Sequence, residues 1–258
     1  IYKAYDSKII FGVKLYPAGA TTNSDTGVTN LSKLNKTFAA MQEVGMVLQI
    51  HGEVTDKNID IFDREAVFIE TILKPLVEKF PTLKVSLEHI TTEESVTFVT
   101  KDSDSVHASI TPQHLLYNRN DMLVSGIRPH LFCLPILKRE RHQQALLEAA
   151  TSGNKKLYLG TDSAPHARDQ KENCCGCAGC YSHLSAIELY AEVFDQFNAL
   201  DKLEGFASMH GPDFYGLPYN DSFISLKRQK WKIPSSIKYL NTELIPLGAN
   251  SELNWKLI

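Results

Sequence analysis

Five short apolar runs recur along this chain, and four of them carry an ionisable residue at or near their end. The runs cover residues 9–17, 46–51, 83–89, 106–111 and 156–162, and stretches with helical spacing of apolar residues lie between them. Runs that are apolar almost throughout are typical of strands buried on both faces. Strands that alternate with helices indicate a parallel α/β sheet with crossover connections.

The ionisable residues at the ends of these runs are Lys14, His51, His89 and Asp162. The steps 51 − 14 = 37 and 89 − 51 = 38 are each about one strand-and-helix unit. In a (β/α)8 barrel the carboxyl ends of the strands face one shared mouth, where active sites lie. The sequence therefore predicts an α/β fold of the (β/α)8 TIM-like barrel class, with these four side chains in its mouth.

Two imidazoles and one carboxylate in such a mouth indicate a zinc site. Lys14 does not fit as an ammonium, because its charge would repel a metal ion. Reaction with carbon dioxide would convert it into an anionic carbamate, although the residue pattern alone does not require this step. Taken singly, a histidine at a strand end is more often structural, and a lone lysine is more often on the surface.

The composition narrows the possible functions. Lys+Arg total 27 and Asp+Glu total 30, a net charge of −3, which argues against nucleic acid as the main partner. A hydrophobic content of 43% argues against a disordered chain. No apolar run reaches the ~18 residues that cross a bilayer, so we expect no membrane partner.

Four of the five cysteines lie within residues 174–180. Cysteines this close cannot form a disulfide framework across a core, and free thiols predict a reducing, cytoplasmic location. The cluster could also form a zinc-binding module or a redox motif, but structural zinc sites usually combine two separated pairs of ligands.

Characteristic motifs surround the predicted ligands: VKLYPA at 13–18, IHGEV at 50–54, EHITT at 88–92 and GTDSAPHA at 160–167. Further motifs occupy residues 110–115, 128–138, 175–180 and 211–218. Along nearly the whole chain, these motifs resemble those of dihydroorotases of the monofunctional bacterial, plant and fungal type, in the amidohydrolase superfamily. Hydantoinases share the ligand pattern but lack these loops.

The resemblance implies two zinc ions per subunit, bridged by Lys14 carboxylated on its side-chain nitrogen. It makes His51 and His89 ligands of the second zinc, and Asp162 a ligand of the first zinc and the general base. The family also has a His-x-His pair on its first strand, which completes the first zinc site, and an arginine just after that pair and an asparagine on a later strand, which hold the substrate carboxylate. None of them is in its expected place here, so we expect the natural protein to contain about 90 residues before Ile1, equivalent to three more strand-and-helix units.

For substrate binding, the resemblance implies contacts from His166 to the substrate carboxylate and from the backbone of Leu134 and Ala178. Thr21 and Thr22 correspond to the tip of a loop that closes over the substrate, although they could be ordinary turn residues. His51 is also expected beside the substrate. We expect structural or packing roles for the other histidines of the chain's middle region, His107, His114, His130 and His142.

The implied reaction is the reversible, zinc-dependent cyclisation of N-carbamoyl-L-aspartate to L-dihydroorotate plus water, in de novo pyrimidine (UMP) biosynthesis. The substrate is a small molecule and the expected assembly is a homodimer. Three alternatives stay open: an inactive structural homologue, another cyclic amidohydrolase such as a hydantoinase, and a zinc module centred on the cysteines. We expect residues 1–218 to form the C-terminal part of the barrel, and 219–258 an accessory segment that packs on it and includes the last helices.

Overall fold

A computed structural model gives the fold of residues 1–21 and 24–258. Thr22, one of the predicted loop residues, lies outside this range. At the centre is a five-stranded parallel sheet in the order β1-β2-β3-β4-β5. Its strands are β1 (Gly12–Leu15), β2 (Val47–His51), β3 (Val85–Glu88), β4 (Val106–Ile110) and β5 (Leu157–Leu159). The strand order follows the chain order, as expected of consecutive strand-and-helix units, and the predicted α/β class is confirmed.

Helices connect these strands and cover the sheet. They are α1 (Tyr2–Asp6), α2 (Asn35–Val44), α3 (Arg64–Phe68), α4 (Lys74–Lys79), α5 (Glu93–Thr97), α6 (Pro112–Leu116), α7 (Arg119–Leu123), α8 (Glu140–Thr151), α9 (Arg168–Lys171), α10 (Ala186–Gln196) and α11 (His210–Tyr215). Short 3-10 turns occupy Leu31–Leu34, Pro129–Leu131, His183–Ser185 and Leu200–Lys202. Within the described residues, no helix combines the length and the apolar character needed to cross a membrane.

Three segments are π-helical: Ile69–Leu73, Phe98–Asp102 and Gly205–Met209. The first directly precedes α4, whose second residue is Pro75. Proline has no N–H to bond the carbonyl of Thr71, so the regular hydrogen-bond ladder cannot continue through this turn. The chain instead forms the wider π turn before α4 begins.

The core lies between the sheet and its helices. Ile50, Val85, Leu87 and Ala108 on the central strands are almost completely buried. Tyr190 of α10 packs beside them and donates its hydroxyl hydrogen to the carbonyl of Ile110 at 2.6 Å. A buried hydroxyl needs such a partner, and here it also ties α10 to the end of β4.

The turn that follows β3 is held by the buried carboxylate of Glu65. This group accepts hydrogen bonds from the backbone and hydroxyl of Thr91 and from the hydroxyl of Thr92, at 2.6–3.0 Å. Thr92 also caps α5 through the backbone N–H of Ser95. The chain is thus fixed immediately after His89, which positions that side chain at the end of the strand.

The C-terminal segment forms strands, so the expectation of helices between Phe223 and Ile258 was wrong. The strands are β6 (Leu226–Lys232), β7 (Ile237–Tyr239), β8 (Thr242–Leu244) and β9 (Glu252–Leu257). Alternation of apolar residues, as in Leu253 and Trp255, places every second side chain on one face and favours a strand. Glu192 of α10 accepts hydrogen bonds from the backbone of Asn254 and Trp255, which docks β9 on that helix.

The boundary predicted at residue 218 stays a prediction. It falls in the connection between α11 and β6.

Candidate functional site

A cavity of about 220 Å3 lies at the carboxyl ends of the parallel strands. Its lining comprises Lys14, Tyr16, Thr21, His51, His89, Leu134, Asp162, Ala164, Ala178 and Gly179. The structure therefore brings the four predicted metal ligands to one cavity, together with Thr21, Leu134 and Ala178. These residues come from four strand ends and two later loops, and their convergence is what the barrel interpretation requires.

His51 ends β2 and is held by the buried carboxylate of Glu53. The His51 Nε2 lies 2.9 Å from Oε2 of Glu53, and both side chains are at most 3% exposed. A carboxylate only accepts hydrogen bonds, so Nε2 carries a hydrogen, and the neutral form of the ring has its lone pair on Nδ1. A histidine oriented by a carboxylate in this way is typical of metal sites.

His89 follows β3 and is buried, and its ring centroid lies 4.8 Å from that of His51. Its Nδ1 is enclosed and has no hydrogen-bond partner within residues 1–21 and 24–258. Burial above all, and then the neighbouring His51 and Lys14, hold the pKa of His89 well below its usual value. The ring is therefore neutral, which is the form that binds a metal ion.

Asp162 lies beyond β5, and burial raises the pKa of its carboxyl group while Lys14 and His51 oppose that shift. Its backbone φ is 41°, and that of His89 is 44°. Residues other than glycine occupy this left-handed region only at a cost of about 1–3 kcal/mol, and such strain concentrates at active sites. Both of these strained residues line the cavity.

Lys14 forms an ion pair with Glu88, the last residue of β3. Glu88 was missed as a site residue, although an acidic residue that directly precedes a predicted ligand in an apolar run could have indicated it. As an ammonium paired with a carboxylate, Lys14 has no lone pair to offer a metal ion. The unmodified side chain is therefore not a metal ligand.

His166 lies beside the cavity, where its Nε2 donates to the carbonyl of Ala178 at 3.1 Å. Gly179, which follows Ala178, was also missed. Its φ is 150°, and a Cβ at this position would lie 2.6 Å from the carbonyl oxygen of Ala164. Only glycine fits between these two loops, so the close approach of the loops shapes this wall of the cavity.

The other histidines have roles in packing. His114 receives a hydrogen bond from the Thr111 hydroxyl on Nδ1 at 2.6 Å and donates from Nε2 to the carbonyl of Pro135 at 2.9 Å. Both ring nitrogens of this buried residue are thus engaged within the protein. His130 pairs with Glu172 at 2.7 Å, and the His107 ring stacks on Phe214 with centroids 4.1 Å apart.

A second group of metal-type side chains lies away from the cavity. Glu93, Glu94 and His142 have ligand atoms within 4.8 Å of one another, and in the part of the chain that the structure describes no other three such side chains meet this spacing. The cysteines of segment 174–180 therefore do not form a compact cluster of this kind. The ligand atoms of His51, His89 and Asp162 do not all lie within 4.8 Å of one another.

Comparison with known proteins identifies the family. The sequence profile of the Amidohydrolase family matches residues 1–222. The chain is 61% identical over its full length to the dihydroorotases of Acaryochloris marina and Shewanella oneidensis, and it covers 75% of each. This chain belongs to the amidohydrolase family, among the dihydroorotases. The predicted resemblance is confirmed.

Solved structures agree with this assignment. A crystal structure of Saccharomyces cerevisiae dihydroorotase in complex with 5-fluoroorotic acid superposes with a TM-score of 0.91 at 36% identity, covering 100% of this chain and 76% of that one. A D-hydantoinase from Thermus sp. matches with a TM-score of 0.77 at 15% identity, covering 96% of this chain and 61% of that one, which shows only a shared fold. The barrel-type fold class is confirmed by these neighbours.

Proposed function

We propose that the cavity at the strand ends catalyses the reversible conversion of L-dihydroorotate and water to N-carbamoyl-L-aspartate, with zinc bound by Lys14, His51, His89 and Asp162. The chain is a cyclic amidohydrolase of the dihydroorotase type. The observation that supports the proposed site is the convergence of these four side chains on one cavity. The reaction belongs to pyrimidine biosynthesis in this proposal.

The donor set fits zinc. Glu53 holds Nε2 of His51, which leaves Nδ1 as the nitrogen that would bind an ion, and the neutral His89 has an enclosed nitrogen without a hydrogen-bond partner among the described residues. Imidazole nitrogens and a carboxylate are ordinary zinc ligands. Lys14 completes the set only as a carbamate, which would replace its ion pair with Glu88 by an anionic bridge between two ions.

Zinc, when bound, would polarise the ring carbonyl that is attacked and make water available as a nucleophile near neutral pH. Asp162 would take the proton of the attacking water and deliver it to the leaving amide nitrogen. In the biosynthetic direction it would remove a proton from the ureido nitrogen. A carboxyl group whose pKa is raised by burial is suited to holding this proton between the two steps.

The wall formed by Leu134, Ala178 and His166 would orient the substrate. His166 is already fixed by its hydrogen bond to the carbonyl of Ala178, so its ring is ordered before the substrate arrives. Pre-ordered groups bind without a further loss of side-chain freedom. Thr21, which belongs to the cavity lining, would contact the substrate as well, and Thr22 is assigned to the same role from the sequence alone.

The proposal includes a cytoplasmic homodimer that acts on small molecules, without a nucleic-acid or membrane partner. The five cysteines, all of them free thiols, support a reducing compartment. An inactive homologue is not favoured, because the predicted ligands in this chain are intact and converge.

The test is hydrolysis of L-dihydroorotate by the natural enzyme that contains this sequence, with bound zinc measured on the same sample. We expect zinc-dependent turnover, its loss on chelation and its return on addition of zinc. A hydantoin offered in parallel should be a poor substrate. A zinc-loaded, folded enzyme that leaves dihydroorotate untouched, or prefers the hydantoin, would contradict the proposed reaction.

A further inference from the structure

A buried lysine outside the predicted ligand set, Lys171, lies behind the substrate wall of the cavity. It ends α9, is only 3% exposed, and donates three hydrogen bonds from its ammonium group. The acceptors are the carbonyl oxygens of Phe132 at 2.8 Å, Cys177 at 2.7 Å and Gly179 at 2.7 Å. All three N–H bonds of the ammonium are therefore used.

This arrangement is unusual for a buried charge. Buried lysines are normally paired with a carboxylate, and within the described residues no carboxylate lies within 4 Å of the Lys171 ammonium. Burial lowers the pKa of Lys171, which shows that the charged form is held at a cost. Three carbonyl dipoles offset that cost. A buried ammonium group that is held only by backbone carbonyls calls for a functional explanation.

The three carbonyls belong to the backbone on either side of the predicted substrate contacts. Phe132 lies two residues before Leu134, while Cys177 and Gly179 flank Ala178. The Gly179 N–H also donates to the carbonyl of Phe132 at 2.9 Å, so the two loops are joined directly as well as through the lysine. Lys171 thus fixes both loops of the substrate wall at once.

The two flanking carbonyls point to Lys171, and the carbonyl of Ala178 accepts from His166. The N–H groups of Ala178 and Leu134 donate to no acceptor within residues 1–21 and 24–258. Both residues line the cavity. Two free backbone donors at a cavity wall can bind a carboxylate or a carbonyl oxygen.

We propose that Lys171 is a positioning residue for the substrate: its ammonium group fixes the two loops so that the N–H groups of Leu134 and Ala178 are available to the substrate. This inference rests on the proposed function, because it assigns those two groups to substrate binding. Loss of the lysine would weaken binding of the substrate and leave the metal ligands in place.

The test uses Lys171→Met in the natural enzyme, which keeps the side-chain length and removes the charge and the donors. We expect a KM for dihydroorotate at least about tenfold higher, since one well-made hydrogen bond is worth roughly 1.4 kcal/mol, with kcat within a few-fold and zinc content unchanged. The affinity for 5-fluoroorotate, measured by calorimetry, should fall by a similar factor.

Lys156→Met is the matched control. Lys156 also donates to a backbone carbonyl, that of Ser103 at 2.6 Å, but this carbonyl lies outside the two loops that Lys171 holds. This control should lower the melting temperature without changing KM or the affinity for 5-fluoroorotate. A Lys171→Met protein that is folded and keeps both values would overturn the proposal, because a merely structural lysine would alter stability alone.

Lys171→Arg covers the case in which the methionine variant does not fold. The planar guanidinium keeps the charge but cannot direct three N–H groups to the same three carbonyls. We expect a folded protein with raised KM and weakened 5-fluoroorotate binding, and unchanged values in this variant would overturn the proposal. The natural enzyme could bind 5-fluoroorotate more tightly than its Lys171 variants and yet fail to turn over dihydroorotate. That result would support the role of Lys171 and contradict the proposed reaction.

Discussion

Among the described residues, side chains that can ligate a metal ion lie together in two regions. The two regions differ in burial, in hydrogen bonding and in backbone geometry. At the strand ends His51, His89 and Asp162 line a cavity. On the outer helices α5 and α8, Glu93, Glu94 and His142 lie closer together. Proximity alone would favour the second group.

The chemistry of the outer group argues against a metal. The Nδ1 of His142 accepts the backbone N–H of Glu93 at 3.2 Å, so its lone pair is already used. Glu93 lies 3.5 Å from the guanidinium of Arg141, and both carboxylates are about two-fifths exposed. Acidic residues at the start of α5 are sufficiently explained by the helix dipole, which favours negative charge there.

The group at the strand ends differs in how its side chains are held. One histidine is oriented by a buried carboxylate, the other has an enclosed nitrogen without a hydrogen-bond partner among the described residues, and two of the three residues adopt a strained backbone. The proposed site therefore rests on an oriented histidine, a strained backbone and a shared cavity, and the distance between ligand-type atoms alone would have selected the outer group.

Lys14→Ala should abolish both turnover and tight zinc binding, because no bridging anion can form. The measurement is zinc per chain by elemental analysis, together with the rate of dihydroorotate hydrolysis. Partial rescue by a short carboxylic acid would support the bridging role. Normal zinc content in this variant would contradict it.

Asp162→Asn should lower kcat by roughly 10²–10⁴-fold without unfolding the protein, because an amide cannot accept the proton of the attacking water. Glu94→Gln makes the same chemical change in the outer group and is the control, with activity and zinc content expected to match the wild type. Near-normal kcat for Asp162→Asn would remove this residue from the mechanism. Zinc loss in Glu94→Gln would reverse the comparison between the two regions.

Glu53→Gln should weaken zinc binding by about 10–100-fold, because the neutral amide no longer polarises the His51 ring. A competition assay with a chelator measures this, and the melting temperature shows whether the fold is retained. The buried pair of Glu53 with Lys138, whose Nζ lies 3.8 Å from Oε1, makes some loss of stability expected as well. Unchanged zinc affinity would show that Glu53 is only structural.

The free energy of unfolding should fall as the pH is lowered from about 6.5 to about 4, because buried histidines outside the proposed metal site become protonated on unfolding. Burial lowers the pKa of His114 to about 4 and that of His107 to about 4. In this window the unfolded chain binds more protons than the folded chain, so the free energy of unfolding falls as pH falls, by about 3 kcal/mol for His114 alone. Urea titrations across this pH range measure the free energy of unfolding, which should fall less steeply with pH in His114→Gln than in the wild type. The same pH dependence in both proteins would contradict the role given to His114.

Much of this protein could be predicted from the sequence. All five central strands and most of the longer helices were predicted, because buried strands and amphipathic helices have distinct apolar periods. Lys14, His51, His89 and Asp162 could be selected because each interrupts or follows an apolar run. The helices expected after Phe223 were wrong, because short exposed runs depend on what they pack against.

The sequence by itself determined the fold class, the family and the candidate ligands, because these depend on residue types and on their spacing along the chain. Only the tertiary structure decided which groups hold the ligands in place. The partnership of His51 with Glu53, the ion pair of Lys14 with Glu88 and the three carbonyls around Lys171 depend on contacts in the folded chain. Lys171 and Phe132 are 39 residues apart, and no local pattern signals that a buried charge will be satisfied by distant carbonyls.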